Sequence, residues 1–250
     1  MKFHRAIAAV AALSLPLVAG VAQAAELKVF SSTALKTVLE ELGPQFEKST
    51  GNKLVFTIGP AAALKTQIDQ GADFDIAILT VAATDDLAKQ GKIAPDTRAP
   101  VAHVGIGVAV RKGAPKPDIS TTDAFKRALL NAKSVGFTAA GASGAYLKVL
   151  FEKLGIAEAL QPKLKLLPGA AGEAAANGEV EIGLTQISEI LPYAGAELVG
   201  PLPPEIQSYT NFSTGVSAAS KDAAAATALI KFLTAPSAAT VYKAKGLEQG

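Results

Sequence analysis

The chain is predicted to fold as an α/β protein with a mostly parallel sheet, arranged as two lobes with a cleft between them. Three observations carry that expectation. Short apolar runs of strand character alternate with stretches whose apolar residues recur at helical spacing. Three strand-to-helix junctions are built from small or hydroxyl-bearing residues. The length of 250 residues, with two groups of strand–helix units, suits two lobes on one chain.

Leu27–Phe30 reads as the first strand. Leu35, Val38, Leu39, Leu42 and Phe46 then share a helical face, with Glu40, Glu41, Glu47 and Lys48 off it. Gly43-Pro44 is expected to interrupt or kink this helix, and Ser49-Thr50-Gly51 to stop it. Lys53–Ile58 is a second strand, Ala62–Gln70 a helix ended by Gly71, and Phe74–Leu79 a buried strand closed by Thr80. A helix over Thr84–Gln90 ends at Gly91.

Val101–Val110 is a long apolar strand, followed by a loop over Arg111–Ser120. Thr121 or Thr122 is placed to cap a helix over Asp123–Asn131. Ser134–Thr138 is a strand, Tyr146–Leu154 a helix stopped by Gly155, and Lys163–Leu166 a strand. A short helix over Gly172–Asn177, a strand over Ile182–Thr185 and a helix over Gln186–Leu191 follow. Thr210–Ser217 runs back as a strand, and Ala223–Leu233 is a C-terminal helix. The long strands near Val104–Val110 and Phe212–Ser217 are the natural crossings between lobes. Residues 25–104 plus 212–250 are therefore expected to form one lobe, and residues 105–211 the other.

Lys2 and Arg5 precede an apolar run from Ala6 to Gly20 and the small-x-small site Ala22-Gln23-Ala24. Residues 1–24 read as a secretory signal peptide, giving an exported, soluble protein that begins at Ala25. Without Lys2 and Arg5, 22 of the 24 basic residues remain, against 22 acidic ones. That balance gives no reason to expect nucleic acid. The chain has no cysteine, and His103 is the one histidine after the signal. Thiolate and multi-histidine metal sites are thereby excluded, as is any catalytic triad not built on His103. His103 sits before the apolar run Val104–Val110 and reads as structural. No glycine-rich phosphate loop is present, so no nucleotide or other cofactor is expected.

The three junctions are Ser31-Ser32-Thr33, Gly59-Pro60-Ala61-Ala62 and Ala142-Ser143-Gly144-Ala145. At such a junction the first amides of a helix have no partner within it, and the helix dipole favours negative charge there. Each hydrogen bond to a charged group contributes about 1.5–3 kcal/mol, so several converging donors hold a small anion without a cationic side chain. Helix capping alone also explains any one junction taken singly; three at the same topological position point to a ligand. Thr80 closes a further strand in the same manner. Lys36 and Lys65 stand near the start of junction helices, where a cation opposes the dipole by about 0.3–1 kcal/mol. They either reach a multiply charged ligand or point to solvent.

Four segments in order, LKVFSSTALKTVLEEL, LKTQIDQGADFDIAILT, GASGAYLKVLFEKLG and FLTAPSAATVYKAKG, make the chain resemble the periplasmic solute-binding proteins of the molybdate-binding type. The resemblance covers nearly all of the chain after the signal. It implies the two-lobed periplasmic-binding-protein fold (type II), a monomer in the periplasm, and a small anion captured for the permease of an ABC importer. The junctions and their neighbours place the ligand contacts at Ser31, Ser32, Thr33, Ala61, Ala62, Lys65, Thr80, Ser143, Gly144, Ala145 and Gln186. The chain departs from the family pattern at Ala34, where a serine is usual. The second junction lacks a hydroxyl, and Gln186 or a neighbour replaces a tyrosine. A polycarboxylate or other oxyanion is therefore expected in preference to molybdate. The family has an enzymatic branch, aconitate isomerase, with which Gln186-Ile-Ser-Glu-Ile-Leu-Pro192 is compatible. On that alternative the proton-transferring candidates are Lys36, Lys65 and Glu173.

Overall fold

A computed structural model describes residues 24–250; the expected signal peptide falls outside them except for Ala24. Strand β1 (Glu26–Ser32) runs through a 3₁₀ turn at Thr33–Leu35 into helix α1 (Lys36–Thr50). The helix is continuous through Pro44, contrary to the expected interruption. The proline forfeits one bond, to the carbonyl of exposed Glu40, while Leu39, Leu42 and Phe46 anchor the buried face. Gly51 ends the helix at φ +79°, a conformation that costs glycine no Cβ clash.

Strand β2 (Lys53–Gly59), helix α2 (Ala61–Asp69), strand β3 (Ile76–Thr80) and helix α3 (Val81–Lys89) follow in the expected alternation. Strand β4 (Ala99–Arg111) leads to helix α4 (Thr122–Asn131), where the Thr121 hydroxyl accepts from the Ala124 amide at 3.1 Å. Strand β5 (Val135–Thr138) feeds helix α5 (Ala142–Lys153), which starts four residues before the expected Tyr146. The run Ala-Ser-Gly-Ala is the first turn of that helix rather than a loop before it. Helix α6 (Ala157–Leu160), strand β6 (Leu164–Leu167), helix α7 (Ala171–Ala176) and strand β7 (Ile182–Gln186) complete this part.

The helix expected over Gln186–Leu191 does not form. Gln186 is the last residue of β7, and only a 3₁₀ turn over Ile187–Glu189 follows. Strand β8 (Ala196–Pro201), strand β9 (Tyr209–Val216), helix α8 (Ala223–Leu233), helix α9 (Ala239–Ala244) and the short strand β10 (Glu248–Gln249) end the chain. The sequence reading did not anticipate β8, α6, α9 or β10.

Strand order is β2-β1-β3-β9-β4-β7-β5-β6, with β8 and β10 pairing to β4. The sheet is mixed, which corrects the mostly parallel expectation. Pairs β1–β2, β1–β3, β5–β6 and β5–β7 are parallel, whereas every pair made by β4 or β9 is antiparallel. Strand β4 belongs to both halves. Its residues 99–105 pair with β9, and residues 106–111 pair with β7 and β8.

Apolar packing is divided at the same strand. Leu27, Val29, Leu39, Phe46, Leu229 and Tyr242 belong to one buried cluster on the first half, and Phe30, Leu64, Leu79 and Leu87 to another. The second half packs Phe125, Phe137, Leu147 and Phe151 together, with Ala171, Ala175 and Val180 in a separate cluster. Each half thus carries its own core on both faces of its strands, the two-lobed arrangement. Among the described residues no single helix is long and apolar enough to cross a membrane.

Candidate functional site

The C-terminal ends of β1, β3, β5 and β7 meet where the two halves join. A cavity of about 190 Å³ opens there, room for roughly six water-sized groups. Its wall alternates between the halves: Ser32, Thr33, Pro60, Ala61 and Thr80 come from the first, and Thr138, Gly141, Ala142, Ser143 and Gly169 from the second. Gln186, Glu189 and Phe212 also line it.

Helices α2, α3 and α5 all open at this wall, and none has a side-chain cap. Their capping residues are Pro60, Thr80 and Gly141, which leave the first amides unclaimed by any side chain. The turn after Ser32 is likewise uncapped. Helix α4 takes no part in the cavity and is capped by Thr121. Amides of several helix N-termini and the hydroxyls of Ser32, Thr33, Thr138 and Ser143 therefore surround one small space.

Of the residues expected at the ligand, Ser32, Thr33, Ala61, Thr80, Ser143 and Gln186 line the cavity. Ser31 does not: it is fully buried, and its hydroxyl donates to the Ser32 carbonyl at 3.4 Å. Ala62 and Ala145 are exposed on their helices, outside the lining. Gly144 is buried behind it, where a Cβ would run into the Thr138 carbonyl. Its smallness serves packing of α5 on the end of β5, not approach to a ligand. Gln186 is buried, and its Nε2 donates to Thr210 Oγ1 at 2.9 Å, joining β7 to β9.

The three acid–base candidates lie off the wall. Lys65 is held by Asp69 and Asp86, each at 2.6 Å. Its ammonium is pushed above the usual lysine value by those two hydrogen bonds. Lys36 pairs with Glu40 at 3.2 Å, and Glu173 is exposed on α7. The charges of Lys36 and Glu173 both act on Tyr193. Burial pushes that hydroxyl up, Glu173 adds to the rise, and Lys36 opposes it. His103 sits outside the cavity, its Nε2 3.3 Å from Glu248 and its ring edge-on to Tyr209 at 5.6 Å.

Glu189 was missed. It is the one titratable side chain among the lining residues. The Thr185 hydroxyl donates to its carboxylate at 2.6 Å, and burial pushes its carboxyl above the usual glutamate value against that hydrogen bond. Sequence spacing held one signal: Thr185 and Glu189 are four apart, straddling the end of a strand. A helix over Gln186–Leu191 would instead have set Glu189 within its first turn.

A family model described as bacterial extracellular solute-binding protein matches residues 27–248. A protein of Pseudomonas sp named aconitate isomerase is 33% identical over 229 residues, covering 89% of this chain and 87% of its own length. The molybdate-binding protein ModA of Azotobacter vinelandii is 30% identical over 254 residues, covering 95% of each chain. Among solved structures, the periplasmic molybdate-binding protein of Azotobacter vinelandii superposes with a TM-score of 0.74 at 21% identity, over 88% of this chain and 98% of that one.

Proposed function

The chain belongs to the bacterial extracellular solute-binding proteins, and we propose that it captures a small oxyanion or polycarboxylate between its lobes and presents it to the permease of an ABC importer. The observation that carries this reading is the cavity where uncapped N-termini of α2, α3 and α5 converge from both halves of the sheet. The ligand would be held by amides and by the hydroxyls of Ser32, Thr33 and Ser143. We place the protein in the periplasm as a soluble monomer after removal of residues 1–24. The lobes are residues 25–104 with 212–250, and residues 105–211, turning about β4 and β9.

A second reading is favoured by Glu189. A carboxylate in the wall of an anion cavity opposes capture of an anion, whereas a carboxyl is what moving a proton on a bound polycarboxylate requires. The relative named aconitate isomerase, 33% identical, gives that reading its substrate. On it, the protein interconverts cis- and trans-aconitate.

A thermal-shift screen of molybdate, tungstate, sulfate and di- and tricarboxylates tests the binding reading, since a ligand of the folded state raises the melting point by mass action. One class shifting the midpoint saturably supports it. No shift with any of them at millimolar concentration would remove small anions as the ligand.

A further inference from the structure

We propose that Glu189 is the group that carries the proton when a tricarboxylate such as cis-aconitate is isomerised in this cavity. The proposal rests on the isomerase reading given above and adds the residue and the path of the proton.

Geometry selects Glu189 by position. It stands at the cavity wall on the turn that ends β7, facing a space whose other lining residues, hydroxyls, small residues, prolines, Gln186 and Phe212, carry no ionisable group. Lys36, Lys65 and Glu173, the candidates sequence reasoning favoured, are not in the lining, and two of them are paired elsewhere. The carboxylate is oriented by Thr185 Oγ1 at 2.6 Å. Its backbone is held by α7, because Gly172 packs so closely on the Glu189 carbonyl that a Cβ there would collide with it. A carboxyl fixed at both ends is prepared for proton transfer in a way that a mobile surface group is not. Burial pushes its carboxyl above the usual glutamate value, against the Thr185 hydrogen bond.

The step balances within the substrate. The Glu189 carboxylate takes one proton from the methylene carbon between the double bond and a terminal carboxylate. The electron pair of that C–H bond becomes the new carbon–carbon double bond, while the old double-bond pair moves to the far allylic carbon. The same carboxyl then gives its proton to that carbon. One C–H bond breaks and one forms, the double bond shifts by one position, and no oxidant, reductant or external acid is consumed. The negative charge that builds up on the allyl system is met by the amides and hydroxyls that line the cavity.

The test uses the purified full chain and cis-aconitate in heavy water, followed by proton NMR, with binding measured separately by thermal shift. Wild type is expected to produce the trans isomer and to place deuterium on the allylic carbons, because a proton resting on Glu189 exchanges with solvent. Glu189→Gln keeps the shape and the Thr185 contact. It is expected to bind cis-aconitate at least as tightly as wild type, a charge that opposes the anion having been removed, while turnover falls about 10²–10⁴-fold, the range general acid–base groups supply. Glu189→Asp should restore part of the rate. Turnover by Glu189→Gln within tenfold of wild type overturns the role of Glu189 and leaves the isomerase reading standing. Equal loss of binding and turnover overturns it too, making Glu189 a binding residue. Wild type that binds without turnover or deuterium exchange removes the isomerase reading and this proposal together.

Discussion

Gln207 grips both backbone groups of Ile106. Its Oε1 accepts from the Ile106 amide at 2.9 Å, and its Nε2 donates to the Ile106 carbonyl at 2.9 Å. Ile106 is the residue at which β4 stops pairing with β9 and begins to pair with β7. Gly105 beside it has no side chain to displace the amide, whose Nε2 would lie 3.0 Å from a Cβ there. A side chain thus supplies strand-like bonding at the point where the two halves meet. Gln207→Ala takes the acceptor from the Ile106 and Ser208 amides, while the Ile106 carbonyl keeps the Leu202 amide at 3.0 Å, and should cost about 2 kcal/mol of stability. Chemical denaturation measures it, and a change below about 0.5 kcal/mol would show that water replaces the amide without loss.

Ser143 lines the cavity and is nearly fully buried. If its hydroxyl donates to a bound anion, Ser143→Ala removes about 1.5–3 kcal/mol of binding, a loss of tenfold or more. The empty protein should melt within a few degrees of wild type, since the hydroxyl caps nothing in α5. Isothermal titration with the ligand found in the anion screen separates the two quantities. Unchanged affinity would return Ser143 to a packing role.

Lys65 gives the opposite expectation. With Asp69 and Asp86 each 2.6 Å away, it is already engaged by two carboxylates. Lys65→Ala should therefore lower the melting point slightly and leave ligand affinity within about twofold. A large loss of binding would mean that the ammonium leaves its partners when the anion arrives.

Glu189 makes the stability of the empty protein depend on pH in a defined direction. Burial raises its folded-state value above the ordinary 4.5. The stability this carboxyl contributes is then fully present below the unfolded value and is lost as pH rises through the folded one. Glu189→Gln cannot ionise. Its melting point relative to wild type should be higher at about pH 8 than at about pH 4, with the effects of all other groups cancelling in the difference. A gap that does not change with pH would place the carboxyl in ordinary solvent.

Local signals made much of this architecture legible from sequence. The Ala223–Leu233 helix, the Gly51 and Gly155 stops and the Thr121 cap all depend on neighbours a few residues away. The direction of pairing for β4 and β9 was not legible, because their partners lie far off in sequence and the apolar pattern of a buried strand is the same either way. The same division holds at the cavity. Ser32, Thr33, Thr80 and Ser143 follow from the rule that strand ends meet helix starts there. Which face of a helix start turns inward does not, so Ala62, Lys65 and Ala145 were expected at a wall they do not reach. For Lys65, the Asp69 four residues on was the readable sign of an ion pair. Glu189 reaches the wall because β7 ends at Gln186 in a 3₁₀ turn, with the Glu189 carbonyl packed on Gly172 of α7, which no local pattern announces.

The lining residues include no lysine or arginine, and their one ionisable side chain is Glu189, so no fixed positive side chain sets itself against an anion seated there. The lining itself adds no cation to attract an anion, so its share of the association rate should change little with ionic strength. A charge that is only solvated, never compensated, is also easily surrendered. A membrane partner presenting positive charge at the seam between the lobes would draw the cargo outward without first breaking an ion pair.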